Sequence, residues 1–156
     1  MKKLIATTLA IALLICLAGC SSTQYKDTNG PDDFSLQTIT DDDIIHLTLG
    51  ASGMVYEETS LADVITSSEY HSKNFNGVER IYETTCLLPS DISVYIGHMD
   101  VKSGNFKLVA VNEDQIIHEF DPDAFGETFL FEDLKGSFSI IAAGESAAFS
   151  FYLDVQ

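Results

Sequence analysis

FSFYLDV, residues 149–155, puts Phe149, Phe151, Leu153 and Val155 on one parity and Ser150, Tyr152 and Asp154 on the other. Side chains of an extended chain point alternately to opposite faces, so this pattern predicts a strand with one face in a core and one toward water. The same period recurs upstream. IIHLTLG (44–50) offers Ile45, Leu47 and Leu49, and DISVYIGHM (91–99) offers Ile92, Val94 and Ile96. NFKLVAV (105–111) gives Phe106, Leu108 and Ala110, and GSFSIIA (136–142) gives Phe138, Ile140 and Ala142. Turn-forming stretches separate the runs: LPSD (88–91), KSGN (102–105), NEDQ (112–115), DPDAFGE (121–127) and AGES (143–146). Short strands at this spacing predict an all-β antiparallel β-sandwich, immunoglobulin-like or jelly-roll-like. One stretch breaks the pattern: SLADVI (60–65) has Ser60 placed as an N-cap and Leu61 and Ile65 on one helical face, which predicts a short helix near 60–66. SSEYHSKNFNG (67–77) reads as a loop.

The span from Glu79 to Val155, with VKSGNFKL, LKGSFSI and ESAAFSFYL, resembles the C-terminal β-sandwich domain of small bacterial lipoproteins. These are strand-and-turn patterns, so the resemblance implies a fold and carries no catalytic residue.

The front of the chain has another character. Lys2 and Lys3 precede an apolar segment, Leu4 to Ala18, interrupted only by Thr7 and Thr8. As a helix it would rise about 22 Å, short of the roughly 30 Å hydrocarbon core of a bilayer. A signal peptide is therefore predicted rather than a membrane span. Leu17-Ala18-Gly19-Cys20 resembles the lipobox of bacterial lipoproteins, which implies cleavage before Cys20 and a diacylglyceryl group on its sulfur. Two acyl chains anchor stably where one is marginal. Cys16 would be discarded with the signal peptide. The polar stretch SSTQYKDTNGPDD (21–33) reads as a flexible spacer. The expected organisation is a signal peptide over 1–19, a tether over 20–33 and a β-sandwich domain over 34–156.

Without residues 1–19 the chain keeps 6 basic and 24 acidic residues, a formal charge of −18 over 137 residues. Such a surface repels phosphate backbones, so nucleic acid is excluded as a partner and cations or basic partners are favoured. Only Cys86 would remain as a thiol, so no intramolecular disulfide is expected and the domain must rest on its core.

Catalytic signatures are sparse. GASG (50–53) does not complete a nucleophile-elbow motif. KSG (102–104) resembles one motif of penicillin-recognising enzymes, but the chain has no S-x-x-K to supply their nucleophile. Cys86, in TTCLLP beside two leucines, reads as a small buried hydrophobe. His98 and His118 fall on strand parities that turn them inward near strand ends, a site for a metal or simply a boundary position. DPDAFGETFLFE (121–132) places Asp121, Asp123, Gly126 and Glu132 in register with a calcium loop, with Phe125 where an oxygen ligand should be and Pro122 opposing the flanking helices. A looser calcium loop and a plain acidic hairpin both remain open. Tyr56, Tyr70, Tyr82, Tyr95 and Tyr152 are candidate stacking platforms for a glycan.

The expectation from sequence is a lipid-anchored, non-enzymatic binding or interaction module on the extracytoplasmic face of the bacterial membrane. Cys20 is the attachment site, and no cofactor is expected. The partners are the membrane and a cationic, protein or glycan ligand on the cell surface. A calcium-dependent module using Asp121, Asp123 and Glu132 and a structural envelope component are the alternatives, with a hydrolase behind them.

Overall fold

Two long, bent antiparallel strands carry the fold. The computed structural model describes residues 36–61 and 65–156. Its elements are helix α1 (Asp41–His46) and strands β1 (Val55–Leu61), β2 (Ile65–Asn112), β3 (Gln115–Phe120) and β4 (Glu127–Val155). The first part of β2 runs along β4 from Ser67 opposite Asp154 to Ile96 opposite Glu127. The ribbon then folds over, and β2 returns on the other edge of β4, from Val94 opposite Val155 to Asn112 opposite Phe138. Residues 138–155 therefore lie between two stretches of the same strand. β1 pairs with the start of β2, and β3 forms a hairpin with its end. The architecture is an all-β antiparallel sandwich.

The parities read from sequence define its interior. Phe106, Leu108, Ala110, Ile92, Val94, Ile96, Phe138, Ile140, Ala142, Phe149, Phe151 and Leu153 all enter one apolar core. The opposite parity of the same strands is also buried. Ile141 and Ala143 join Val78, Val109 and Val111 in a second cluster on the outer face, covered by Leu36, Ile39, Ile44 and Leu47. Residues 36–47 are thus a strap across the sheet, which explains the unbroken apolar run at 140–143.

Several local expectations are corrected. The short helix near 60–66 is absent: Leu61 pairs with Ile65 at the head of the β1–β2 hairpin, and residues 62–64 between them lie outside the described residues. The helix is instead α1, in the stretch read as a strand from Ile45, Leu47 and Leu49. Its start is a capping box. The Asp43 amide donates to Thr40 Oγ1 (3.3 Å) and the Thr40 amide donates to Asp43 Oδ2 (3.0 Å). Three aspartates in the first turn suit the positive end of the helix dipole. The residue α1 buries is Ile44, at 0% exposure. SSEYHSKNFNG is a strand, not a loop. Its inward positions include Ser68, Tyr70 and Ser72, so two serines conceal a buried parity. Finally, LPSD, KSGN and AGES are register shifts or bends within continuous strands, and Asn105 faces Glu145 where the last two meet. Gly104, at φ +75°, lies so close to this bend that a Cβ would stand 2.3 Å from the Ser146 carbonyl oxygen.

Candidate functional site

At one end of the sandwich β2 pushes out an apolar bend. Cys86 pairs with Gly136 and Ser90 with Leu134, so Leu87, Leu88 and Pro89 face Lys135 alone. Three residues cannot stay in a ladder opposite one, and Pro89 has no N–H to give it. Leu87 is 91% exposed and Leu88 75%. Leaving a leucine in water forgoes about 1.5–3 kcal/mol relative to full burial.

The bend is tied, not loose. Ser90 Oγ donates to the Leu88 carbonyl at 3.0 Å, and the Asp133 amide donates to Asp91 Oδ1 at 3.0 Å. Asn112 Nδ2 donates to the carbonyls of Lys135 and Ser137, each at 2.9 Å, and the Glu113 amide donates to Ser137 O at 2.8 Å. These bonds draw together the bend at 86–91, the turn at 112–115 and residues 132–137. The three segments expose Asp91, Glu113, Asp114, Glu132 and Asp133 against one base, Lys135. Beside the leucines is an open recess of about 400 Å³ lined by Tyr82, Thr84, Leu87, Leu88, Asp91 and Gln156 among others.

A second recess, about 320 Å³, lies under the strap between Thr38, Leu49, Ser52, Asn76 and Glu145. Glu145 is fully engaged by the chain itself. Its Oε1 accepts from the Thr38 amide (2.6 Å), Thr38 Oγ1 (2.6 Å) and the Ile39 amide (2.9 Å), and its Oε2 from the Gln37 amide (2.9 Å) and Asn105 Nδ2 (3.0 Å). Desolvation pushes this carboxyl up, but the bonds from Thr38, Asn105 and Gln37 outweigh it and hold the group well below the usual carboxylate range. The recess therefore has a clamp for a wall rather than a free charge.

The residues singled out in the sequence are scattered. Cys20 lies outside the described residues. Asp121 Oδ1 accepts from the Asp123 amide at 2.9 Å, an Asx turn that shapes the β3–β4 loop. That loop is fastened to Gly97 and Met99 through Gly126 and Ala124. Glu132 stands five residues along β4 from Glu127, about 16 Å of extended strand away. The structure thus does not bring Asp121, Asp123 and Glu132 together. Among the described residues no group of three His, Cys, Asp or Glu side chains is placed to hold a metal ion.

His118 points inward as its parity predicts, among Phe120, Phe129 and Phe131 at ring distances of 4.9, 4.8 and 6.0 Å, with its Nε2 buried and unpartnered. His98 does not continue the Ile92–Ile96 face. Ile96 pairs with Leu153 and Met99 with Phe151, so an extra residue at Gly97–His98 shifts the parity and Met99 takes the core position. Cys86 is buried in the main core as expected, although its two leucine neighbours are not. Of the tyrosines, Tyr70 is buried and stacks on Phe151, whereas Tyr95 and Tyr152 meet edge to face at 6.2 Å on the outer surface. Sequence reasoning missed Leu87 and Leu88; the signal was an apolar pair directly before a proline, amid turn residues.

No family model matches the chain, and no curated protein matches it. Among solved structures it is similar to a cupin superfamily protein from Desulfitobacterium hafniense DCB-2, at 14% identity and a TM-score of 0.34 over 64% of this chain and 74% of that one. It is also similar to an RmlC-like cupin protein from Desulfovibrio desulfuricans, at 10% identity and a TM-score of 0.34 over 81% of this chain and 96% of that one.

Proposed function

We propose that the protein is a lipid-anchored, extracytoplasmic, non-catalytic binding module whose β-sandwich presents the Leu87–Leu88 bend to a partner. The observation that carries the binding role is the bend itself, in which two adjacent leucines stand out in water and the residues that follow them, Ser90 and Asp91, are tied by hydrogen bonds. Exposed apolar features rimmed by polar residues mark interaction sites. The anchoring half rests on Leu17-Ala18-Gly19-Cys20 and the polar spacer that follows it. Lipid on Cys20 would hold the module at the membrane, and the spacer would let it reach. Metabolic labelling with palmitate and membrane fractionation test this half. Cys20→Ala should abolish labelling and release the protein or leave it unprocessed, while Cys16→Ala should change neither; a Cys20 variant that labels and fractionates like the wild type refutes the anchor.

A further inference from the structure

The binding-module reading leaves the partner open, and the surroundings of the bend narrow it. On it rests a second step: we infer that Leu87 and Leu88 dock into an apolar socket framed by lysine or arginine on a partner protein. The leucines stand at the end where Asp91, Glu113, Asp114, Glu132 and Asp133 are exposed, with Lys135 as the base among them. An apolar centre inside a charged rim is the usual anatomy of a protein interface, with the buried anchors supplying affinity and the rim supplying orientation and encounter rate.

The sign of the rim selects among occupants. Anionic lipid headgroups would be repelled by five carboxylates as the leucines approached. A second copy of the chain would set one acidic rim against another, and the processed chain carries a formal −18 that opposes self-association throughout. A basic protein surface meets both requirements at once. The recess beside the leucines, with Tyr82, Thr84 and Gln156 on its wall, gives the partner's rim a place for a reciprocal side chain.

The test uses the full chain as it purifies from the producing cell, held in phosphatidylcholine nanodiscs where it is membrane-attached, with empty nanodiscs as the reference for peptide taken up by lipid. The probes are three fluorescent peptides of equal length, in which leucine alternates with lysine, leucine with glutamate, and serine with lysine. Only the lysine–leucine peptide should bind saturably. Leu87→Ser with Leu88→Ser, and separately Glu132→Lys with Asp133→Lys, should each weaken that binding by at least about tenfold. Reversing two exposed charges away from the rim, Glu69→Lys with Asp100→Lys, which stand opposite Tyr152 and Ser150 and so about 13–20 Å along the strand from Gln156, should change it by less than about threefold. Melting temperatures matching the wild type show that each variant is folded, and Leu87→Ala alone serves if the double change does not fold.

Equal loss from the rim and the distant reversals would reduce the effect to net charge and overturn the inference. So would wild-type binding by the leucine variant, equal binding of the glutamate–leucine peptide, or a dimer that the leucine substitutions dissolve. The Cys20→Ala fractionation reads the anchor alone and the peptide titration reads the bend alone, so one can fail while the other stands.

Discussion

Two of the apolar features on the outside of the sandwich are treated differently by the chain. On one, Val78, Val109, Val111, Ile141 and Ala143 are roofed by the strap at 36–47, and Glu145 fastens its leading residues with four hydrogen bonds. On the other, Leu87 and Leu88 project bare. Both kinds of surface are costly in water, so the contrast separates structural burial from display. The strap is part of the folding energy of the domain; the leucine bend is not, and whatever it contributes comes when something else covers it.

The comparison breaks if the strap proves dispensable. Ile44→Ala removes the fully buried anchor of α1 and should destabilise the domain by about 2–4 kcal/mol, read as a lower denaturant midpoint. A midpoint matching the wild type would mean that the strap does not hold the outer cluster. A smaller effect is expected at the clamp. Glu145→Gln sets an amide NH₂ against donors that now share a carboxylate and should cost about 1–3 kcal/mol at neutral pH.

The pH dependence sharpens this. The folded state holds Glu145 below its usual value of 4.5, so its contribution is fully present above that value and is lost as the pH falls through it toward the lower folded-state pKa. Asp43, lowered to about 2 by hydrogen bonds from Thr40 and Thr48, acts in the same direction. The wild type should therefore lose its advantage over Glu145→Gln on acidification, and a stability difference that stays constant between pH 7 and pH 3 would detach the clamp from the charge. The smallest effect belongs to the bend: Leu87→Ser with Leu88→Ser should shift stability by less than about 0.5 kcal/mol while leaving the fold unchanged by circular dichroism. A loss comparable to Ile44→Ala would erase the distinction between the two surfaces.

How far the sequence discloses this structure depends on how many neighbours a position reports. The inward faces around Phe106–Ala110, Phe138–Ala142 and Phe149–Val155 were legible because alternation over several residues admits one reading. At 44–50 three alternating apolar residues were outweighed by a local start signal, Thr40 with Asp41, Asp42 and Asp43, and the chain coils. At 67–77 buried serines removed the hydropathy contrast on which the strand reading depends. The second cluster was invisible from β4 alone, since Ile141 and Ala143 need the strap to explain them. The candidate site was less legible still. The exposure of Leu87 and Leu88 follows from a pairing in which three residues meet one, and pairing is a property of two strands far apart in sequence.

The central position of β4 also sets a timetable. Residues 138–155 supply the edge to which both stretches of β2 attach, joining residues as distant as Ser67 and Asp154, and they are the last part of the chain described to be synthesised. Until they emerge, β2 has lost its main ladder partner and the strap has only half of its platform. Native pairing of this kind must wait for long loops to close, which slows folding relative to proteins built from local contacts. A nascent chain of this design keeps the two flanking stretches of β2 open until residues 138–155 have been made.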